Sequence, residues 1–294
     1  MNYQWYPGHM TKAKRMMEEN IKLIDLVIEI VDARIPISSR NPDIDSLAVN
    51  KARIILLNKS DLADDKITNQ WINYFNENNI YCLKLNSRNN SGIKQVNGLI
   101  MTACADKIER NKQRGILNRP IRAMVVGIPN VGKSTFINSY AGKASAKTGN
   151  KPGVTKGKQW IKLNKNVELL DTPGILWPKF DNQEVGKRLA MIGSMNDEIL
   201  NVEELAIDTI KYIYSEYSDN VIERYGLDKE KTAASYDENA INPDNSVALY
   251  IMEQAAVKRG CIKKGNNIDY EKISNIILDD FSSGRLGRIS LETP

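Results

Sequence analysis

Apolar residues gather in short runs over the first 170 or so positions, and the stretches between the runs repeat their apolar residues at helical spacing. Leu23 to Val31, Arg53 to Leu57, Ile80 to Leu85 and Ala123 to Val126 read as buried strands. Between them, Ile67, Trp71, Tyr74 and Phe75, and then Ile93, Val96, Ile100 and Cys104, fall three and four apart and predict helices. Strand and helix therefore alternate, as a parallel sheet requires. Two further strands, near Gln159 to Leu163 and Val167 to Leu170, flank Asn164-Lys165-Asn166, a hairpin signal. Lys107 to Arg122 lacks apolar periodicity and ends in Arg119-Pro120, so it predicts a connector.

Beyond Pro173-Gly174 and Trp177-Pro178 no strand pattern returns. Val202, Leu205, Thr209, Ile213 and Tyr217 fit one helix face, and Ile273, Ile276, Ile277 and Phe281 fit another that starts near Asp269 as N-cap. Ser246 to Lys258 predicts a third helix, stopped by Gly260. Residues 1–178 thus read as an α/β unit and 179–294 as a helical one.

Composition narrows the classes. The 294 residues suffice for one large or two ordinary domains. Cys82, Cys104 and Cys261 are scattered with no Cys-x-x-Cys pair, which points to reduced thiols. The apolar runs are too short for a membrane span and the chain opens without a signal-peptide pattern, so the expectation is a soluble cytoplasmic protein, without membrane partner. The net charge of +5 is unevenly spread. No Asp or Glu occurs between Glu109 and Glu168 while Lys and Arg recur throughout, and the bias turns acidic from Asp197 to Asp244.

Specific chemistry enters with Gly127-Ile128-Pro129-Asn130-Val131-Gly132-Lys133-Ser134-Thr135, a G-x-x-x-x-G-K-[ST] phosphate loop set between the strand Ala123 to Val126 and a helix through Phe136 and Ile137. Its glycines let successive backbone N–H groups face one anion, Lys133 offsets the terminal phosphates, and Ser134 is placed to hold magnesium. Asp171-Thr172-Pro173-Gly174 closes a strand with a carboxylate for the metal and a glycine N–H at Gly174 for the γ-phosphate. Pro152-Gly153-Val154-Thr155 lies between the two, where a switch threonine at Thr155 completes the magnesium shell. Asn58-Lys59-Ser60-Asp61 ends the strand Ile54 to Leu57. Its Asp61 carboxylate accepts from guanine's ring N–H and exocyclic amine, a pair of donors that adenine does not offer, and Lys59 lays its stem along the base. Asn86-Ser87 is the expected site of the remaining base loop. The base motif precedes the phosphate loop by about 70 residues, whereas ordinary small GTPases have it after.

That inverted order resembles the circularly permuted GTPases. Trp5-Tyr6-Pro7-Gly8-His9-Met10, Val31-Asp32-Ala33-Arg34 and Asp171 to Phe180 resemble the members of that family that act in ribosome biogenesis. The resemblance implies an α/β fold: a circularly permuted Ras-like P-loop GTPase domain over 1–178, then an all-helical domain over 179–294 that contacts ribosome and RNA. It also implies a monomeric, cytoplasmic, magnesium-dependent GTPase. Such a protein binds the large ribosomal subunit late in maturation, through ribosomal RNA and ribosomal proteins, and leaves after hydrolysis.

Two positions bear on hydrolysis. Ile175 stands where many Ras-like GTPases carry a water-orienting glutamine, and an apolar side chain orients no water. His9, the single histidine, sits in an N-terminal segment read as a mobile arm and is a candidate to orient or accept from that water. Asn130 resembles the residue with which some GTPases hold a potassium ion in place of an arginine finger. The alternative function is a GTP-binding RNA scaffold with little turnover, to which Ile175 lends weight. A nucleoside kinase is disfavoured because Asp61 reads guanine and no acceptor pocket is evident.

Overall fold

The computed structural model describes residues 8–117, 119–142, 159–163, 165–171, 182–195 and 201–294. Six strands form one sheet: β1 Leu26–Asp32, β2 Ala52–Asn58, β3 Tyr81–Lys84, β4 Ile121–Val126, β5 Gln159–Lys162 and β6 Val167–Asp171, in spatial order β3-β2-β1-β4-β6-β5. All neighbours are parallel except β5 and β6, which pair antiparallel as the hairpin signal predicts. Parallel strands covered on both faces must be apolar throughout. β1 meets this over Leu26, Val27, Ile28, Ile30 and Val31, all buried, and breaks it at Glu29.

Glu29 is tolerated because Arg40 Nε (3.1 Å) and Arg53 Nη2 (3.2 Å) both reach its Oε2, and Asp45 joins the two guanidinia from the far side. Burial still outweighs those two cations and raises the Glu29 pKa above the ordinary carboxylate value.

Helices between the strands are α1 Gly8–Asn20, α2 Asp43–Leu47, α3 Asp65–Glu77, α4 Ile93–Ala103, α5 Ala105–Gln113 and α6 Lys133–Ala141. α3 is capped by Asp64, whose side chain accepts from Ile67 N–H. Trp71 and Phe75 of α3 stack and pack with Val31, Ile55, Leu57 and Cys82 into a core under one face of the sheet. The opposite face carries a larger core, continuous from β1 and β4 through α4 and α6 into the helices that follow. Burial pushes the Cys82 thiol up to about 12 and the Cys104 thiol to about 11, so neither is a nucleophile at neutral pH.

Two expectations need correction. The connector is largely α5: Asp106 stands in its first turn, Arg110 and Lys112 in its last, and only Ile108 and Asn111 face the core. One apolar contact in nine residues leaves no periodicity to read, while Lys, Glu, Arg and Gln are good helix formers. The N-terminal arm, from Gly8 onward, is helix α1, fixed by the buried Met17 and by Lys14 Nζ on Asp43 Oδ2 at 2.8 Å.

The rest of the described chain is helical: α7 Gln183–Met191, α8 Val202–Glu216, α9 Ser218–Tyr225, α10 Lys229–Ala233, α11 Ser246–Arg259 and α12 Tyr270–Ser282. α8 is the hub, touching α7, α9, α11 and α12. Gly260 ends α11 in the left-handed region at φ 63°, and Asp269 caps α12 by accepting from Lys272 N–H, both as the sequence predicts. No described helix is long and apolar enough to cross a membrane.

Ile277 is fully buried in the large core where α12 meets α8. Ile277→Ala is expected to cost about 2–5 kcal/mol of stability, measured by urea unfolding; a loss below about 1 kcal/mol would show that α12 does not share that core.

Candidate functional site

In a parallel sheet every strand delivers its carboxyl end to the same edge, and ligands bind there. Asp32 ends β1, Asn58 ends β2, Asn86-Ser87 follow β3, Gly127 follows β4 and Asp171 ends β6. The backbone of Asp171 pairs with Val125 just before the phosphate loop. Motifs scattered over more than a hundred positions of sequence thus meet along one rim.

Asn58 joins three of them. Its Oδ1 accepts from Ser87 N–H (3.0 Å) and Ser87 Oγ (2.9 Å), and its Nδ2 donates to the Val131 carbonyl (2.8 Å). All of these groups are buried, so each bond is worth more than on the surface and costs more to leave unmade. Ser60 N–H donates to Leu85 O, Ser139 Oγ donates to Ser87 O at 2.5 Å, and the base loops lock to one another and to α6. The paired segments Asn58 to Asp61 and Asn86-Ser87 therefore form one platform at the carboxyl edge of the sheet. Asp61 itself is exposed at its rim.

The phosphate loop runs from Gly127 to Lys133 with α6 starting at Lys133. Gly132, at φ 97°, passes so close to Asn58 that a Cβ would overlap Nδ2, which is why the loop needs glycine there. Lys133 is buried and donates to Gly127 O (3.1 Å) and Ile128 O (2.8 Å), so its ammonium lies within the loop it serves. Ser134 and Thr135 lie in the first turn of α6, half-buried. Asn130 Nδ2 donates to Gly193 O at 2.7 Å and Ser194 Oγ donates to Pro129 O at 3.0 Å, which ties the loop to the segment after α7.

Sequence reasoning used Asp32 and Arg34 only for resemblance, and the structure gives them work. Asp32 is fully buried beside the base platform and holds the Arg34 guanidinium in two bonds (Nε–Oδ1 2.9 Å, Nη2–Oδ2 2.8 Å). Lys59 Nζ lies 3.1 Å from the same carboxylate. Burial alone would raise the Asp32 pKa, but Arg34 and then Lys59 outweigh it and hold the carboxyl well below the usual range. Lys59 is also lowered from its ordinary value, because burial lowers it more than Asp32 can restore. Bidentate recognition of this kind requires an arginine.

Thr155, Gly174 and Ile175 lie outside the described residues. Asp171 is described in its backbone only, and so is His9, which falls in the first turn of α1. Ser134, in the first turn of α6 after β4, and Asp171, at the end of the neighbouring strand β6, are residues of the hydroxyl and carboxylate types that magnesium takes. Among the described residues no group of three or more His, Cys, Asp or Glu gathers into another metal centre.

The family model for the 50S ribosome-binding GTPase matches residues 122–236. A Bacillus cereus protein named ribosome biogenesis GTPase A is 46% identical over 294 residues, 100% of this chain and 95% of the relative. Two solved structures are similar at 26% identity: GDP-bound TM YlqF, with a TM-score of 0.64 over 95% of this chain and 98% of that one, and GNP-bound YlqF from T. maritima, with 0.61 over 96% and 98%.

The lowered Asp32 carboxyl sets an acid limit. A carboxylate depressed in the folded state stabilises fully above its unfolded pKa of about 3.9 and loses that contribution as pH falls toward the folded value. Asp32→Asn is expected to cost about 3–5 kcal/mol near neutral pH, because Arg34 is left buried and unpaired, and to flatten the stability loss below about pH 4. Urea unfolding at neutral and acid pH measures both; an unaltered acid limb would remove Asp32 from it.

Proposed function

The chain belongs to the ribosome biogenesis GTPase A family, a GTPase acting in ribosome biogenesis, and from that premise we propose that it hydrolyses GTP on the large ribosomal subunit late in maturation and is released afterwards. The observation that carries the nucleotide part is the Asn58 bridge, which brings the guanine motif, Ser87 and the phosphate loop into one buried network. Asp61 reads the guanine edge, Lys59 packs along the base, and Ser60, Asn86 and Ser87 shape its loop. Asn130 to Thr135 cradle the phosphates, with Gly174 N–H at the γ-phosphate. Ser134, Thr155 and Asp171 hold magnesium, which when bound draws the charge of the β- and γ-phosphates.

The matched family model begins at Arg122 and leaves Asn58 to Asp61 upstream of it, which supports reading the chain as a circular permutation of the usual GTPase order. In this reading residues 1–178 are the GTPase unit and 179–294 the unit that meets ribosomal RNA and proteins, working as a monomer in the cytoplasm. The acid-free stretch from Arg110 to Val167 carries the excess of Lys and Arg that favours RNA phosphates.

Two residues complete hydrolysis. His9, in the first turn of α1, replaces the glutamine that Ile175 displaces, orienting or accepting from the attacking water when the large subunit is bound. Asn130 contributes its amide oxygen to potassium, its amide nitrogen being engaged by Gly193. Loss of γ-phosphate contacts at Thr155 and Gly174 then releases the segment Ile175 to Phe180 and with it the grip on the subunit.

The decisive measurement is GTP turnover with and without large subunits, in potassium and in sodium, for the unaltered protein and His9→Ala. Subunits and potassium should each raise turnover above an intrinsic scale of about 10⁻³ to 10⁻⁴ per second, and His9→Ala should keep GTP affinity while losing the stimulation. Tight GTP binding with no stimulated turnover would instead favour an RNA scaffold that holds GTP structurally, the reading to which Ile175 points.

A further inference from the structure

The base platform has a second partner besides the phosphate loop. Residues 285–292, which follow α12, run along the outside of the loop 58–64. Arg288 Nη2 donates to Ser60 O (3.2 Å), Ile289 N–H to Leu62 O (2.9 Å), and Asp64 N–H donates to Ser290 Oγ (3.2 Å). Leu291 N–H donates to Arg34 O (2.8 Å), and Trp71 Nε1 to Glu292 O (3.1 Å). The Glu292 carboxylate accepts from the N–H groups of Ile37 (2.8 Å) and Ser38 (3.0 Å) and from Arg188 Nη1 of α7 (3.1 Å).

The same segment is held from its other side by the helices. Tyr212 of α8 donates to Ser290 O (3.0 Å) and Asn220 of α9 to Leu286 O (2.8 Å). Leu286, Ile289 and Leu291 are buried, which gives the contact an apolar floor as well as a hydrogen-bonded edge. A second contact runs in parallel. Arg34 donates through Nη1 to the Phe281 and Ser282 carbonyls at the end of α12 (3.4 and 3.3 Å) and lies 5.2 Å from the Phe281 ring centroid. A cation at a helix C-terminus meets the negative end of its dipole. Its other bonds go to Asp32, and Asp32 holds Lys59. Packed groups thus lead without a gap from α12 to the base-stacking lysine.

We propose that segment 285–292, with Asp32 and Arg34, positions the guanine-reading loop 58–64, so that the affinity for the base and the seating of α8, α9 and α12 against that loop are linked. The inference rests on the guanine-nucleotide reading above. It supplies a route that does not pass through residues 172–181, the segment that senses the γ-phosphate. Linkage is reciprocal: if seating the helices tightens the loop, then a base that engages the loop seats the helices. The residues act through Lys59 and Asp61 and are positioning residues.

A purely structural role would lower stability without altering base preference, and the test separates the two. GDP and inosine diphosphate differ in the exocyclic amine, which only a correctly placed Asp61 rewards. The paired variant Arg288→Ala, Ser290→Ala keeps every group assigned to the nucleotide site and removes two polar contacts to the loop. It is expected to bind GDP about tenfold more weakly and to lose most of its preference for GDP over inosine diphosphate. In the unaltered protein, saturating GDP should slow hydrogen exchange at the amides of Ile289 and Leu291, and inosine diphosphate should slow it less. The exchange measurement needs no variant and decides even if the altered chain folds poorly. An unchanged GDP preference together with nucleotide-independent exchange at Ile289 and Leu291 would overturn the proposal while leaving guanine binding intact. Absence of guanine-nucleotide binding by the unaltered protein would overturn the reading beneath it.

Discussion

One side-chain amide holds the nucleotide site together. Asn58 presents a donor and an acceptor at opposite ends of a rigid plane, and it spends the first on the phosphate loop at Val131 and the second on the base loop at Ser87. An aspartate of the same size accepts but does not donate, and a glutamine displaces the plane by a methylene. The close pass of Gly132 follows from the same constraint, because the backbone can approach the amide only where no Cβ intervenes. The distance between phosphate and base subsites is therefore set by this residue rather than by the chain that links them. Chain order can change around it, and that makes an inverted motif order compatible with a working site.

The charges behind the platform obey a similar economy. Asp32 takes two cations from different purposes, Arg34 from the helical side and Lys59 from the base side, and neither would be tolerated there alone. Glu29, a few residues earlier on β1, is also buried and also shared by two cations, Arg40 and Arg53, yet its pKa is raised where that of Asp32 is lowered. The hydrogen bonding explains the contrast. Both Asp32 oxygens are engaged, with the Arg34 guanidinium and backbone N–H on the carboxylate, whereas Glu29 concentrates its bonds on Oε2 and leaves Oε1 without one. The first arrangement fixes an ionised group in place; the second tolerates one.

What the sequence made legible follows from which constraints are local. The phosphate loop and Asn58 to Asp61 were readable because each needs its residues at fixed short spacing between a strand and a helix. Strands β1, β2 and β4 were readable because burial on both faces leaves continuous apolar runs, and β5 and β6 because a hairpin signal separates them. Helix α5 was not, since a single face residue carries its contact and the rest is solvated. The work of Arg34 was not either: its partners Phe281 and Ser282 stand almost 250 positions away, with separations of 247 and 248, and such a pair leaves no periodicity in either segment. Local motifs identify a site, and its long-range supports emerge only from packing.

Seen from the base platform, the helical part of the chain is a structural neighbour of the nucleotide and not a distant appendage. The loop 58–64 is bounded on one side by Asn58 and the phosphate loop and on the other by segment 285–292. The phosphate loop has its own contact toward the helices through Asn130 and Gly193. The loop 58–64 and the phosphate loop are thus each tied to the helical region by separate bonds. Two short ties constrain the helices relative to the sheet more tightly than one. A rigid-body shift of the helices cannot satisfy both while moving only one subsite.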